Sequence, residues 1–269
     1  MSLGGCNSLQ QRFDTASSLA NNNGFSKQIF SESPFTIVSY HKIGSQTDSA
    51  TLFIEGDGLA WLSKRRISPN PTPLNPVGLK LAINDNSPNV FYLARPCQYL
   101  NLNSEKNCNH SYWTSKRASK EIIESINHTI TIIKKQFNID KFRLVGYSGG
   151  GTIATLLASI RNDIEDLRTV AGNLDINAFV QQHKITPLYG SINPVDYAEK
   201  LSTIPQQHYV SRNDEIITRS ITESYLNHLK NHDTKLHCVH VTETDVHSHS
   251  EGWERYWSKQ QHTPVSCLK

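Results

Sequence analysis

The segment Gly146-Tyr147-Ser148-Gly149-Gly150 fits G-x-S-x-G. It lies between a strand-like run, Lys141 to Val145, and a helix-like run, Thr152 to Ile160. Glycines two residues either side let the serine occupy a strained turn, where a β-carbon would strike the turn or the strand. Such a turn lifts the hydroxyl above the sheet edge. It also aims the Gly149 amide, at a helix start, toward negative charge. The chemistry served is nucleophilic attack by an activated hydroxyl. A phosphate-cradling turn competes, but no lysine follows as in a P-loop and no GxGxxG frame is present. A purely structural turn is the third reading.

Two further groups of residues carry chemistry. Asp245-Val-His247-Ser-His249 has metal-ligand types, although no third histidine stands at a recognisable metalloenzyme spacing, so we expect no metal. The five cysteines are Cys6, Cys97, Cys108, Cys238 and Cys267, and none forms CxxC. We expect the pairs Cys97–Cys108 and Cys238–Cys267, one of three connectivities open to four cysteines, with free cytosolic thiols as the competing reading. A short loop so closed gains about 2–3 kcal/mol in the chain-entropy model. The second pair would pin a tail that otherwise frays. Leu3-Gly4-Gly5-Cys6 resembles the lipobox of bacterial lipoproteins, which would make Cys6 a lipidation site. The polar residues after it would then form a flexible tether over 1–30, and the location would be periplasmic or outer-membrane-anchored. A plain disordered N-terminus and a cytoplasmic location are the alternative.

The elements that must position Ser148 alternate. Strands are expected at 35–41, 51–55, 89–94, 141–145, 167–171, 207–210 and 235–241, and helices at 119–137, 152–160, 217–230 and about 252–259. The unalternating apolar runs suit strands buried on both faces. Ile122, Ile126, Ile130 and Ile133 recur at helical spacing. The four prolines of 68–76 dictate a loop, and 174–203 reads as irregular. This order predicts a doubly wound, mostly parallel sheet with helices on both faces in one domain, 31–269. Ligands in such sheets sit at the carboxyl ends of the strands.

Composition closes off other classes. The 269 residues carry 27 basic and 24 acidic side chains, a net +3 with no basic stripe, which argues against nucleic acid. At 37% hydrophobic and 19% charged the chain is globular, and it holds no run of 18 apolar residues.

Through Phe53-Ile-Glu-Gly-Asp-Gly58, Leu93-Ala-Arg-Pro-Cys-Gln-Tyr99 and Gly146-Tyr-Ser-Gly-Gly150 the sequence resembles the α/β-hydrolase superfamily, near a group of uncharacterised bacterial serine hydrolases. The likeness spans roughly 35–260. It implies an α/β-hydrolase fold with a small cap insertion about 176–203, and a nucleophile followed in the chain by an acid and then a histidine. Asp214, in the turn after 207–210, matches the acid. A helix cap is its ordinary alternative, Glu215 is a neighbouring substitute, and Asp175 is the rival. His249, four residues before Trp253, matches the base, with His247 as the alternative. The oxyanion donors would be the amides of Asp57 and Gly149, with Gly58 as an alternative to Asp57. Glu55 stands where related hydrolases carry His. The Asp57 side chain is expected to turn away and bond to its loop.

The resemblance thus implies acyl transfer to water on a small-molecule ester, without cofactor. A thioesterase or peptidase, or a catalytically silent binding protein, are the alternatives, and no oligomeric state is implied. Trp61, Trp113 and Tyr189 are candidates to line the pocket.

Overall fold

The computed structural model describes residues 8–31, 34–44, 48–261 and 263–267. The elements run α1 (Leu9–Asn21), β1 (Ser26–Phe30), β2 (Ile37–Ile43), β3 (Ser49–Ile54), β4 (Trp61–Ser63), β5 (Arg66–Ile67), α2 (Val77–Ile83), β6 (Asn89–Leu93), α3 (Lys120–Phe137), β7 (Lys141–Tyr147) and α4 (Gly149–Ile160). They continue with β8 (Ile164–Val170), α5 (Ile176–His183), α6 (Ala198–Leu201), β9 (Gln206–Ser211), α7 (Arg219–Leu229), β10 (Val239–Thr244) and α8 (Trp253–Gln260). Eight strands form one sheet in the order β1-β2-β6-β3-β7-β8-β9-β10. β1, β2 and β6 pair antiparallel, and every pairing from β6 through β3 to β10 is parallel. The crossovers needed between parallel strands supply the helices that cover both faces.

One face is closed by α3, α4, α6 and α7, with Ile122, Ile126, Ile130 and Ile133 packed into a single core. Each such side chain contributes about 1.5–3 kcal/mol on burial. The other face is closed by α1, α2 and α8, through Ala16, Ala20, Val77, Leu81, Trp253 and Trp257. The register brings Ile54 beside Gly146, Tyr147 beside Val170 and Ser211 beside Thr244. The carboxyl ends of β3, β7, β8, β9 and β10 therefore finish along one edge.

Three expectations change. Residues 8–30 are not a tether. Ser8 closes a capping box with Gln11, α1 buries Ala16 and Ala20, and β1 hydrogen-bonds to β2 as the sheet edge. The lipidation site expected at Cys6 lies outside the described residues. Residues 174–203 are not irregular: α5, a 3-10 turn at Pro194–Tyr197 and α6 occupy them, and Val195, Ala198 and Leu201 join the core. The last strand begins at Val239 rather than at Lys235, because the Asp233 carboxylate accepts the amides of Lys235 and His237 and holds a turn there. Both expected disulfides are present, Cys97–Cys108 and Cys238–Cys267.

Candidate active site

Ser148 sits in the turn from β7 to α4 with φ 52° and ψ −121°, a left-handed backbone that a residue with a side chain adopts only under strain. Packing leaves no alternative path. A β-carbon at Gly146 would fall 2.4 Å from the Gly150 carbonyl oxygen, and one at Gly150 would fall 2.2 Å from that of Ile54. The turn is tied from both sides: the Ser148 amide donates to Val170 O, and the Ser148 carbonyl accepts the amides of Gly151 and Asn173. Gly149 is the first residue of α4, so its own N–H has no acceptor within the helix.

Three side chains stand in line. Ser148 Oγ is 2.9 Å from His249 Nε2, and His249 Nδ1 is 2.8 Å from Asp214 Oδ2. Asp214 is fully buried and divides its carboxylate: Oδ2 takes the imidazole, while Oδ1 accepts the amides of Ile216 and Ile217. Capping and orienting are thus done by different oxygens of one residue. The backbone of His249 is held as well, since its carbonyl accepts from Tyr147 Oη at 2.9 Å and from Trp253 Nε1 at 3.0 Å. That second bond gives the His-x-x-x-Trp spacing a physical meaning.

The alternative residues are engaged elsewhere. Asp175 caps α5 through Asn177 and Ala178 and accepts from Asn193 and Ser224. His247 is largely exposed, 3.9 Å from Glu251. Among the described residues no three His, Cys, Asp or Glu side chains converge as a metal site.

The turn after β3 is built from below and from the side. Glu55, fully buried, accepts the amides of Gly56 (2.9 Å), Gly78 (3.1 Å) and Leu79 (3.4 Å) and the hydroxyl of Tyr92 (3.1 Å). Burial pushes its carboxyl above the ordinary range, against the opposing pull of these bonds. The Gly56 amide is thereby spent on Glu55, and the next two residues, Asp57 and Gly58, line the cleft. Gln98 Nε2 donates to the Gly56 carbonyl and Gln98 Oε1 accepts the Arg95 amide.

The Asp57 side chain does not turn away. Its carboxylate packs against Gly149, where an added β-carbon would lie 2.2 Å from Asp57 Oδ1. It is paired with Arg117 Nη1 at 2.7 Å and Arg95 Nη1 at 3.1 Å. Burial alone would raise this carboxyl, but Arg117 and then Arg95 outweigh it and hold it below the ordinary range. Two guanidiniums against one carboxylate leave the group net positive. Neither arginine had a signal in the sequence beyond Arg95 lying in the quoted motif, because their pairing spans 38 and 60 residues.

A cleft of about 410 Å³ opens over Ser148 and His249. Trp61, Leu74, Phe179, Ile216 and Ile217 form its apolar wall, and Arg117 and Asn173 line it with polar groups. Of the expected aromatics only Trp61 lines it. Trp113 is buried with its indole N–H on the Ser68 carbonyl, and Tyr189 is exposed to solvent.

No protein-family model and no curated protein matches the sequence. Solved structures do match. An esterase of Pyrococcus furiosus superposes with a TM-score of 0.61 at 10% identity over 90% of each chain. The acylaminoacyl peptidase of Pyrococcus horikoshii gives 0.62 at 11%, over 88% of this chain and 40% of that one. Est1E of Butyrivibrio proteoclasticus gives 0.57 at 12%, over 88% and 95%. With the sheet order and the turn after β7, these likenesses define the class: the chain has the α/β-hydrolase fold.

Proposed function

We propose that this protein is a serine hydrolase of the carboxylesterase type. The observation that carries the reading is the unbroken chain from Ser148 Oγ through both nitrogens of His249 to Asp214, with contacts of 2.9 and 2.8 Å. His249 Nε2 takes the Ser148 proton as Oγ bonds to the ester carbonyl carbon. The carbonyl oxygen gains the negative charge and is held by the amides of Gly149 and Asp57, each such donor worth about 3 kcal/mol. Collapse of the intermediate expels the alcohol, which receives the proton from His249. Water, deprotonated by His249, then releases the acid and regenerates Ser148. Asp214 keeps the proton-bearing Nδ1 toward itself and stabilises the imidazolium.

The apolar wall of the cleft suits a small or medium acyl group, and two disulfides suit an oxidising compartment such as the periplasm. The test is labelling by a fluorophosphonate, followed by an acyl-chain series of nitrophenyl esters. We expect label on Ser148, none on Ser148→Ala, and hydrolysis that survives chelators. An unlabelled Ser148 in folded protein overturns the reading.

A further inference from the structure

The strands β4 and β5 form a ribbon apart from the main sheet, beside the cleft. Its base is fixed: Ser68 N donates to Ala60 O at 3.0 Å, and Trp113 Nε1 donates to Ser68 O at 3.0 Å. Its outer part is Trp61-Leu62-Ser63-Lys64-Arg65-Arg66, every residue of it exposed. Trp61 and Leu62 are each 42% exposed, and Trp61 also lines the cleft. Lys64 and Arg65 make the turn, with Ser63 and Arg66 paired across it. Among the described residues none of these three cations has an ion-pair partner closer than 4.0 Å.

The apolar exposure continues around the mouth through Leu74 and Ile216, at 51% and 46%. At the carboxyl ends of β9 and β10 the charges are paired. Glu243 and Asp245 there are bound to Arg212, and Glu243 also to Arg219, while Glu215 adjoins Ile216. Unpaired cations occur elsewhere on the surface too, but on this ribbon three consecutive ones adjoin an exposed Trp-Leu pair.

We infer that this ribbon docks the protein on an anionic lipid surface with the cleft mouth turned toward it. A polyanion in solution would need only the three cations. An exposed Trp-Leu pair beside them matches a bilayer interface, where an indole sits at headgroup level and basic side chains meet anionic lipid. Three cations at such a surface together with two apolar side chains give reversible attachment, not insertion. Among the described residues no helix is long and apolar enough to cross a membrane. That a docked molecule would work on esters presented by the surface rests on the hydrolase reading, whereas attachment does not.

The test therefore uses Ser148→Ala protein and measures sedimentation with phosphatidylglycerol-containing vesicles against pure phosphatidylcholine vesicles, at low and high salt. Binding is expected on the anionic vesicles only, weakened by salt, and reduced about fivefold per charge removed in Lys64→Ser and Lys64→Ser/Arg65→Ser. Of the four tryptophans, Trp113, Trp253 and Trp257 are buried, so a blue shift of emission on the vesicles reports Trp61. Trp61→Ser is expected to abolish the shift and weaken binding without changing its salt dependence. The same two charge substitutions in the wild-type background are expected to leave turnover of a soluble ester unchanged, which checks the fold. Absence of binding, equal binding to neutral vesicles, or binding indifferent to the charge substitutions overturns the inference. Equal affinity for dextran sulfate with no emission shift on vesicles also overturns it, and assigns the ribbon to a soluble polyanion.

Discussion

The Asp57 carboxylate beside the candidate oxyanion site allows a quantitative prediction. For a separation of about 5.5 Å between an oxyanion on the Gly149 amide and this carboxylate, an effective dielectric constant of about 20 gives a repulsion of about 3 kcal/mol. Uncompensated, that would cancel the contribution of one amide donor. Arg117 pairs with the carboxylate at 2.7 Å, and a guanidinium charge about 7 Å from the oxyanion returns about 2.4 kcal/mol under the same dielectric. Arg117→Met should therefore lower kcat by about 50-fold, at 1.36 kcal/mol per tenfold, with little change in KM. The double variant Asp57→Asn/Arg117→Met removes both charges and is expected to recover to within about tenfold of the wild type, since the two terms nearly cancel.

The assay is steady-state hydrolysis of an uncharged nitrophenyl ester by four proteins: wild type, each single variant and the double. Thermal melts show that each is folded. A folded double variant no faster than Arg117→Met would refute the electrostatic account. It would mean that the ion group acts by holding the turn, because its loss would then not depend on the sign of the charge left behind.

Two more outcomes are expected. Reducing Cys97–Cys108, or replacing both cysteines by Ser, should lower kcat several-fold by loosening Arg95 and Gln98, whereas replacing Cys238 and Cys267 should lower thermal stability with kcat unchanged; turnover and melting of both variants decide it. His208, buried between Thr169 and Gln206, is pushed down to about 3 by burial and then by His240, so the unfolded chain binds a proton that the folded one refuses. Its contribution to stability is present above about pH 6.5 and is lost as pH falls toward 3, and His208→Asn should flatten the decline in Tm across that window.

Much of this architecture is legible in the sequence, for reasons that differ by residue. Ser148 stands out because two close backbone approaches forbid any side chain at 146 and 150. His249 stands out because a tryptophan four residues on can reach its carbonyl. Asp214 is legible as an acid and as a cap because a carboxylate has oxygen atoms for both. The helix α1 is hidden because it buries few apolar side chains, chiefly Ala16 and Ala20, inside a stretch rich in Ser, Asn and Gln. The seven residues of α2 are hidden behind four prolines, and its start depends on Glu55, a residue more than twenty positions away. The partners of Asp57 are hidden because an ion pair between loops leaves no period in the chain.

What the fold adds is the reason three separate motifs occur together. Gly146 to Gly150 fixes Ser148 and presents the Gly149 amide. Phe53 to Gly58 supplies the facing turn, with Glu55 holding it below and Asp57 pressed against Gly149. Leu93 to Tyr99 supplies Arg95 to that aspartate and Gln98 to the Gly56 carbonyl, and Cys97 bonds this segment to Cys108. Each device answers a problem raised by another. The tight β7–α4 turn needs glycine at 149, the space beside that glycine admits a carboxylate, and a carboxylate there requires guanidiniums to offset it. A chain that kept Asp57 but lost Arg95 and Arg117 would retain the strand, the serine and the histidine, and would still oppose the oxyanion that the proposed reaction develops.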